Sequence, residues 1–284
     1  MHLDPANWKS NGQFFDYQGH SIFYKVEGSG PPLVLLHGFP TSSWDWSAVW
    51  SQLKNEFRLV TLDFIGFGLS DKPRDYPYSL TDQAELTEQL LLHVGIVDYH
   101  LLTHDIGDSV AQELLARQLD RNSNHILSCC FLNGGLFPET HRPTRTQKLL
   151  LSPVGFLVSQ IFNYRLFKKS FSVIFVNPPR DEELRDHFEL ITHNGGHRIA
   201  HKLIQYIRER KTKRMRWLTA LQEASCPLAL IAGVDDPVSG KHMVDRYREL
   251  VPQSQVWEIE ACGHYPQLEK PGEALEAYVK FRNT

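Results

Sequence analysis

Six short, strongly apolar runs, at residues 33–36, 59–62, 100–102, 127–132, 228–232 and 256–259, alternate with stretches whose apolar residues fall at helical spacing. Runs this short and this apolar read as strands buried on both faces. Strands alternating with helices build a mostly parallel sheet covered on both sides. Ahead of them, residues 14–17 and 21–26 flank Gln18-Gly19 as a β-hairpin. Helices are expected over 42–53, 80–94 (capped by Ser79 or Thr81), 109–119 and 273–281. The rhythm breaks between about Leu136 and Leu221, where Pro138, Pro143, Pro153 and Pro178-Pro179 joint helix-like segments and no strand is convincing. This predicts a core of residues 1–135 and 222–284, and a helical cap, residues 136–221, inserted after the sixth strand. Such a cap would lie over the C-terminal edge of the sheet, where open α/β sheets bind ligands.

The chain has 284 residues and a formal net charge of -3. At that length roughly three quarters of the unfolded surface can be buried. The charge gives no whole-chain reason to expect nucleic acid or an anionic membrane as partner. No basic segment followed by an apolar one opens the sequence, and no apolar run approaches the roughly 20 residues of a membrane helix. Cys129, Cys130, Cys226 and Cys262 form no C-x-x-C pair and read as reduced thiols in a cytoplasmic monomer or homodimer. No metal or other cofactor is expected. His193, His197 and His201 recur every four residues, but Asn194-Gly195-Gly196 breaks the helix they would share. Six basic residues within 208–216 read as a solvated helix face.

The chemistry concentrates at Thr103-His104-Asp105-Ile106-Gly107, between an apolar run and a helical pattern. A nucleophile on a tight strand-to-helix turn needs small flanking residues, and Gly107 fits. The helix behind the turn aims its N-terminus at the site and favours negative charge there. Two acids, Asp235 and Asp236, follow the run at 228–232, and His264 follows the run at 256–259. Nucleophile, acid and histidine therefore occur in the chain order of a hydrolase triad, each just past a strand.

With HGFPTSSWDW, LDFIGFGLSDKP, THDIGD, NGGLFPETHRP and HYPQLEKP, the chain resembles α/β-hydrolase-fold enzymes over nearly its whole length. The branch it resembles uses an Asp nucleophile and contains epoxide hydrolases and haloalkane dehalogenases. The resemblance implies Asp105 as nucleophile, His264 as base and Asp236, rather than Asp235, as the supporting acid. An alternative position for the acid falls near Asn133, which is no carboxylate. The resemblance also implies backbone N–H groups of Phe39 and Ile106 as the oxyanion hole, with His37, Trp44 and His104 beside the substrate pocket.

A carboxylate attacking an acyl carbon gives an anhydride and gains little. Attacking an sp³ carbon that bears a leaving group, it gives an alkyl ester. His264 is then free to activate the water that cleaves this ester. Dehalogenases of the branch hold the halide with side-chain N–H donors where this chain has Ile106 and Phe39, neither of which can donate. Epoxide hydrolases use two cap tyrosines, and Tyr164 and Tyr206 sit in similar contexts. The expectation is therefore an epoxide hydrolase. The alternatives are a dehalogenase with an atypical halide site or a non-catalytic binding protein on the same fold. Phe156, Leu157, Phe162 and Phe167 of the insertion predict a small apolar substrate.

Overall fold

The computed structural model describes residues 4–283; residues 1–3, with which the expected core begins, and Thr284 lie outside the described residues. Helix α1 (Pro5–Ser10) precedes the expected hairpin of β1 (Gln13–Tyr17) and β2 (His20–Glu27). Then come β3 (Pro32–Leu36), a 3₁₀ turn at Ser43–Trp46, α2 (Ser47–Leu53), β4 (Arg58–Leu62) and α3 (Leu80–His93). Ser79 is the cap of α3, its hydroxyl accepting the Asp82 N–H. The central unit is β5 (Tyr99–His104), α4 (Ile106–Arg121) and β6 (Ile126–Leu132). Six helices follow without a strand: α5 (Arg145–Leu151), α6 (Gly155–Gln160), α7 (Tyr164–Ser172), α8 (Asp181–Thr192), α9 (Ala200–Leu203) and α10 (Tyr206–Gln222). The chain closes with β7 (Leu228–Gly233), α11 (Lys241–Leu250), β8 (Gln255–Ile259), α12 (Pro266–Glu269) and α13 (Pro271–Arg282).

The eight strands form one sheet in the order β1-β2-β4-β3-β5-β6-β7-β8. The pairs β1–β2 and β2–β4 are antiparallel, and every later pair is parallel. Alternate residues of the central strands supply two cores. Val34, Leu36, Leu101, Phe131 and Leu230 face one side, and Leu33, Leu35, Leu102, Leu132 and Ile231 the other. Both faces are buried, so the strands read as continuous apolar runs with no polar alternation.

Two expectations change at the boundaries. The helix at 42–53 is split, because its first turn is 3₁₀ and α2 begins only at Ser47. The helix expected from 109 starts at Ile106, because Asp105 itself stands at its N-cap. Among the inserted helices, α10 is tied to the core helix α4. The Trp217 indole N–H donates to Glu113 at 2.8 Å, and the Arg216 Nε–H donates to the same carboxylate at 3.1 Å. Glu209 accepts the Leu80 N–H at 2.7 Å, satisfying an orphan donor at the start of α3.

Candidate active site

Asp105 follows directly on the central strand β5 and adopts φ 47°, ψ -101°. A non-glycine residue there stores about 1–3 kcal/mol of strain. Its neighbours hold it. The Asp105 N–H donates to Leu132 O at 3.3 Å and the Gly107 N–H to His37 O at 3.1 Å. Gly107 must lack a side chain, since a Cβ would sit 2.4 Å from the Leu36 carbonyl oxygen. The Asp105 side chain is only 4% exposed. The Phe39 N–H donates to its Oδ2 at 3.0 Å. Ile106, the first residue of α4, has an N–H with no helical acceptor.

His264 follows β8, and its Nδ1–H donates to Asp236 Oδ2 at 2.7 Å. Asp236 is buried, whereas Asp235 is exposed. The Val238 and Ser239 N–H groups also donate to the Asp236 carboxylate, at 2.8 and 3.0 Å. Asn133 donates to it at 3.1 Å and is itself held by the Gly233 N–H, which donates to Asn133 Oδ1 at 2.7 Å. The alternative acid position is thus a carboxamide that braces the acid. Burial alone would depress the imidazolium of His264, but the charges of Asp236 and Asp105 outweigh it and hold its pKa above the ordinary histidine value. Burial would raise Asp236, yet His264 and the surrounding donors hold it low.

One component reads differently in the sequence. Arg210, in the run read as a solvated helix face, is 1% exposed. Its Nη2 donates to Asp105 O at 2.8 Å and to Asp105 Oδ1 at 3.1 Å. Its Nε donates to the Ser109 hydroxyl at 2.7 Å, and its Nη1 is buried without a partner among the described residues. Gly135 makes room for it: a Cβ there would lie 2.6 Å from Nη1. Burial would raise the Asp105 pKa. Arg210 first, then His264, His104 and the Phe39 N–H, reverse that and hold the carboxyl below its usual range. The signal for Arg210 was its spacing: it lies one helical turn after Tyr206, on the same face of α10.

The two tyrosines part company. Tyr206 is buried, its ring 5.7 Å from that of Phe39 and 4.6 Å from the Arg210 guanidinium carbon. Its hydroxyl has no partner among the described residues, and burial with the nearby Asp105 charge pushes its pKa far up, so it stays a donor. Tyr164 is corrected. Its hydroxyl donates to the Asp181 carboxylate at 2.6 Å on the outer side of α7 and α8, and Arg185 lies over its ring. A surface anion there competes for the hydroxyl, so it does not turn inward.

An apolar cavity opens beside His264 and Phe39, lined also by Leu150, Phe162, Phe167, Phe171 and Leu203. Phe162 and Phe167 were expected there, but His37, Trp44 and His104, expected beside the pocket, do not line it. His37 accepts the Phe64 N–H at 3.1 Å through Nε2 and bonds Gly38 O through Nδ1 at 2.8 Å, so it shapes the loop. His104 donates from Nε2 to His264 O at 2.8 Å, and burial pushes its pKa down to about 3, so it is a neutral brace under the base. Trp44 packs on His187 and borders a separate groove near Pro178 and Pro179. Phe156 and Leu157 are also corrected: both point to solvent, because α6 buries Gly155 and Ser159 instead. Asn194 and Gly195 have positive φ and break the histidine repeat. Among the described residues no group of three or more His, Cys, Asp or Glu is gathered as a metal site would require.

Residues 31–271 match the α/β hydrolase fold family. The mesoderm-specific transcript protein of Mus musculus is 43% identical, covering 99% of this chain and 89% of its own. Among solved structures, a loop variant of haloalkane dehalogenase DbeA from Bradyrhizobium elkanii superposes with a TM-score of 0.80 at 20% identity, over 94% of each chain. The epoxide hydrolase CorEH superposes with a TM-score of 0.75 at 22% identity, over 95% of this chain and 97% of that one. At such identities the two superpositions speak for the fold alone.

Proposed function

We propose that this chain, which belongs to the α/β hydrolase fold family, is an epoxide hydrolase working through an Asp105 alkyl ester. The observation that carries this reading is the Phe39 N–H on Asp105 Oδ2. In a serine enzyme that donor awaits the substrate's oxygen. Here it already holds an oxygen of the enzyme's own carboxyl group, so the tetrahedral centre it can stabilise is the Asp105 carboxyl carbon.

Because Oδ2 lies in the hole, Oδ1 is the attacking atom. Oδ1 forms a bond to a ring carbon, the ring C–O bond breaks, and the departing oxygen takes the Tyr206 proton, which solvent later restores. Arg210 lies against Oδ1 and can steady the charge on the ring oxygen, but a guanidinium does not give up a proton. His264 then removes a proton from water as the water oxygen adds to the Asp105 carboxyl carbon. Collapse of that adduct expels the alkoxy oxygen, which takes the proton from His264, and a vicinal diol leaves; Asp105, left as the acid, returns a proton to solvent that balances the one restored to Tyr206. The inserted helices α5–α10 act as the cap, excluding water from the ion pair and holding the apolar part of a small substrate.

Arg210 also favours a second reading, dehalogenation, since its unpartnered Nη1–H can hold a halide. One experiment separates the two. In His264→Gln the ester forms and persists. A mass gain equal to styrene oxide, mapped to Asp105, supports the epoxide reading. A butyl adduct from 1-bromobutane without an epoxide adduct overturns it in favour of the halide. A folded variant that gains no mass from either, or from a panel of apolar epoxides, overturns both.

A further inference from the structure

Between His141 and Arg180 the sequence contains no Asp or Glu, but it contains Arg142, Arg145, Lys148, Arg165, Lys168, Lys169 and Arg180, a local charge of +7 within a chain of net charge -3. The same stretch concentrates exposed apolar side chains. Eight of the thirteen large hydrophobic residues exposed among the described residues fall within 149–176. Single exposed apolar residues need no explanation, but a concentration of them does.

Helix α6 shows that this exposure is built in. It buries Gly155 and Ser159 and exposes Phe156 (55%) and Leu157 (60%), the reverse of a helix folded against water. Packing fixes that orientation. A Cβ at Gly155 would sit 2.1 Å from Leu150 O, and the Ser159 hydroxyl donates to Gly155 O at 3.0 Å and accepts the His201 N–H at 3.1 Å. Rotating α6 to hide Phe156 and Leu157 would break the fit of Gly155 against Leu150 and the bond from His201 to Ser159. Leu149, Val154 and Ile161 extend the apolar surface on either side. Around it stand Arg145, Lys148, Arg165 and Lys169, which carry no ion pair among the described residues, while Lys168 pairs with Asp181 and Arg180 with Glu183.

We propose that the outer face of α5–α7 docks on an anionic lipid bilayer, with Phe156, Leu157 and Ile161 entering the headgroup boundary and the basic residues meeting lipid phosphates. An apolar, cation-rimmed surface matches that partner in both respects. The inner sides of α5 and α7 and the joint between α6 and α7 supply Leu150, Phe167, Phe171 and Phe162 to the cavity beside His264, so an apolar substrate dissolved in the bilayer would have a short path to the site.

The test is co-sedimentation of the whole chain with phosphatidylcholine vesicles, with and without phosphatidylserine. Wild type should pellet with the anionic vesicles and be released by high salt. Phe156→Ser/Leu157→Ser should bind at least about tenfold more weakly, since each side chain withdrawn from the lipid forfeits apolar burial. Lys148→Glu/Lys169→Glu should weaken binding to anionic vesicles only. Both variants alter exposed residues, and unchanged circular dichroism checks their folding. Wild type remaining in the supernatant at low salt overturns the proposal, as does vesicle binding that ignores Phe156→Ser/Leu157→Ser. A wild-type dimer in sedimentation velocity that this variant dissociates, without vesicle binding, overturns it in favour of self-association.

Discussion

Replacing Asp236 with Asn should separate the two half-reactions. In wild type the Asp236 charge lies 2.7 Å from His264 Nδ1, with both groups buried. An opposite charge at this range is worth 1–3 pKa units, or about 1.4–4 kcal/mol. That stabilisation matters when His264 becomes an imidazolium, during water attack on the ester. It does not matter when Asp105 attacks, because Asp105 is already ionised and needs no base. Ester hydrolysis should therefore slow about tenfold to a thousandfold, with alkylation within about threefold of wild type. Alkylated enzyme should accumulate in the steady state, visible by rapid quench and intact mass. The pH dependence has a fixed sign. The base form of His264 is required and its pKa is raised, so hydrolysis in wild type falls off as pH drops through a value above the usual 6.5. In Asp236→Asn that limb moves to lower pH. The new amide also turns an N–H toward the Val238 N–H or another donor, at a cost of about 1–3 kcal/mol in stability. Equal slowing of both steps with no accumulated ester would sink this assignment of roles, as would an unmoved acid limb.

Tyr206→Phe should slow alkylation by an epoxide about a hundredfold, whereas Tyr164→Phe should leave turnover within about twofold; stopped-flow and steady-state assays decide between them. Gly135→Ala should push Arg210 from its seat. Burial then dominates at Asp105, its pKa rises, and the acid limb of alkylation moves to higher pH than in wild type. Gly107→Ala should destabilise the fold by more than about 3 kcal/mol in denaturant melts, because its Cβ meets the Leu36 carbonyl oxygen at 2.4 Å.

Local pattern made the sheet legible. Buried parallel strands are uniformly apolar, so β3 through β8 stood out, and Asp105, Asp236 and His264 stood out as candidates because each lies just past a strand. The face of a helix was much less legible. The basic run on α10 mixes outward residues such as Arg214, paired with Glu139, with the inward Arg210, and helical spacing alone does not say which turn meets the core. Tyr164 and Tyr206 read alike in sequence. Only the tertiary partners, Asp181 for one and Phe39 for the other, tell them apart. Phe156 and Leu157 misled for a related reason: Gly155 and Ser159 are the residues small enough for the tight inward face of α6.

The Asp105–Arg210 pair gives a structural reason for a carboxylate, and no neutral side chain, on this elbow. Both groups are almost fully buried, and a lone guanidinium in that position is costly. Asp105→Asn keeps the shape of the side chain and removes the charge that Arg210 requires. It should destabilise the fold by about 3–5 kcal/mol, the usual cost of stranding one member of a buried pair. Adding Arg210→Met should recover most of that loss, because the uncompensated charge goes with it. In the proposed reaction the same Asp105 charge disappears into the ester while negative charge grows on the departing atom. A double-mutant cycle by denaturant unfolding measures the coupling, and additive losses from the two substitutions would mean that the ion pair stabilises nothing.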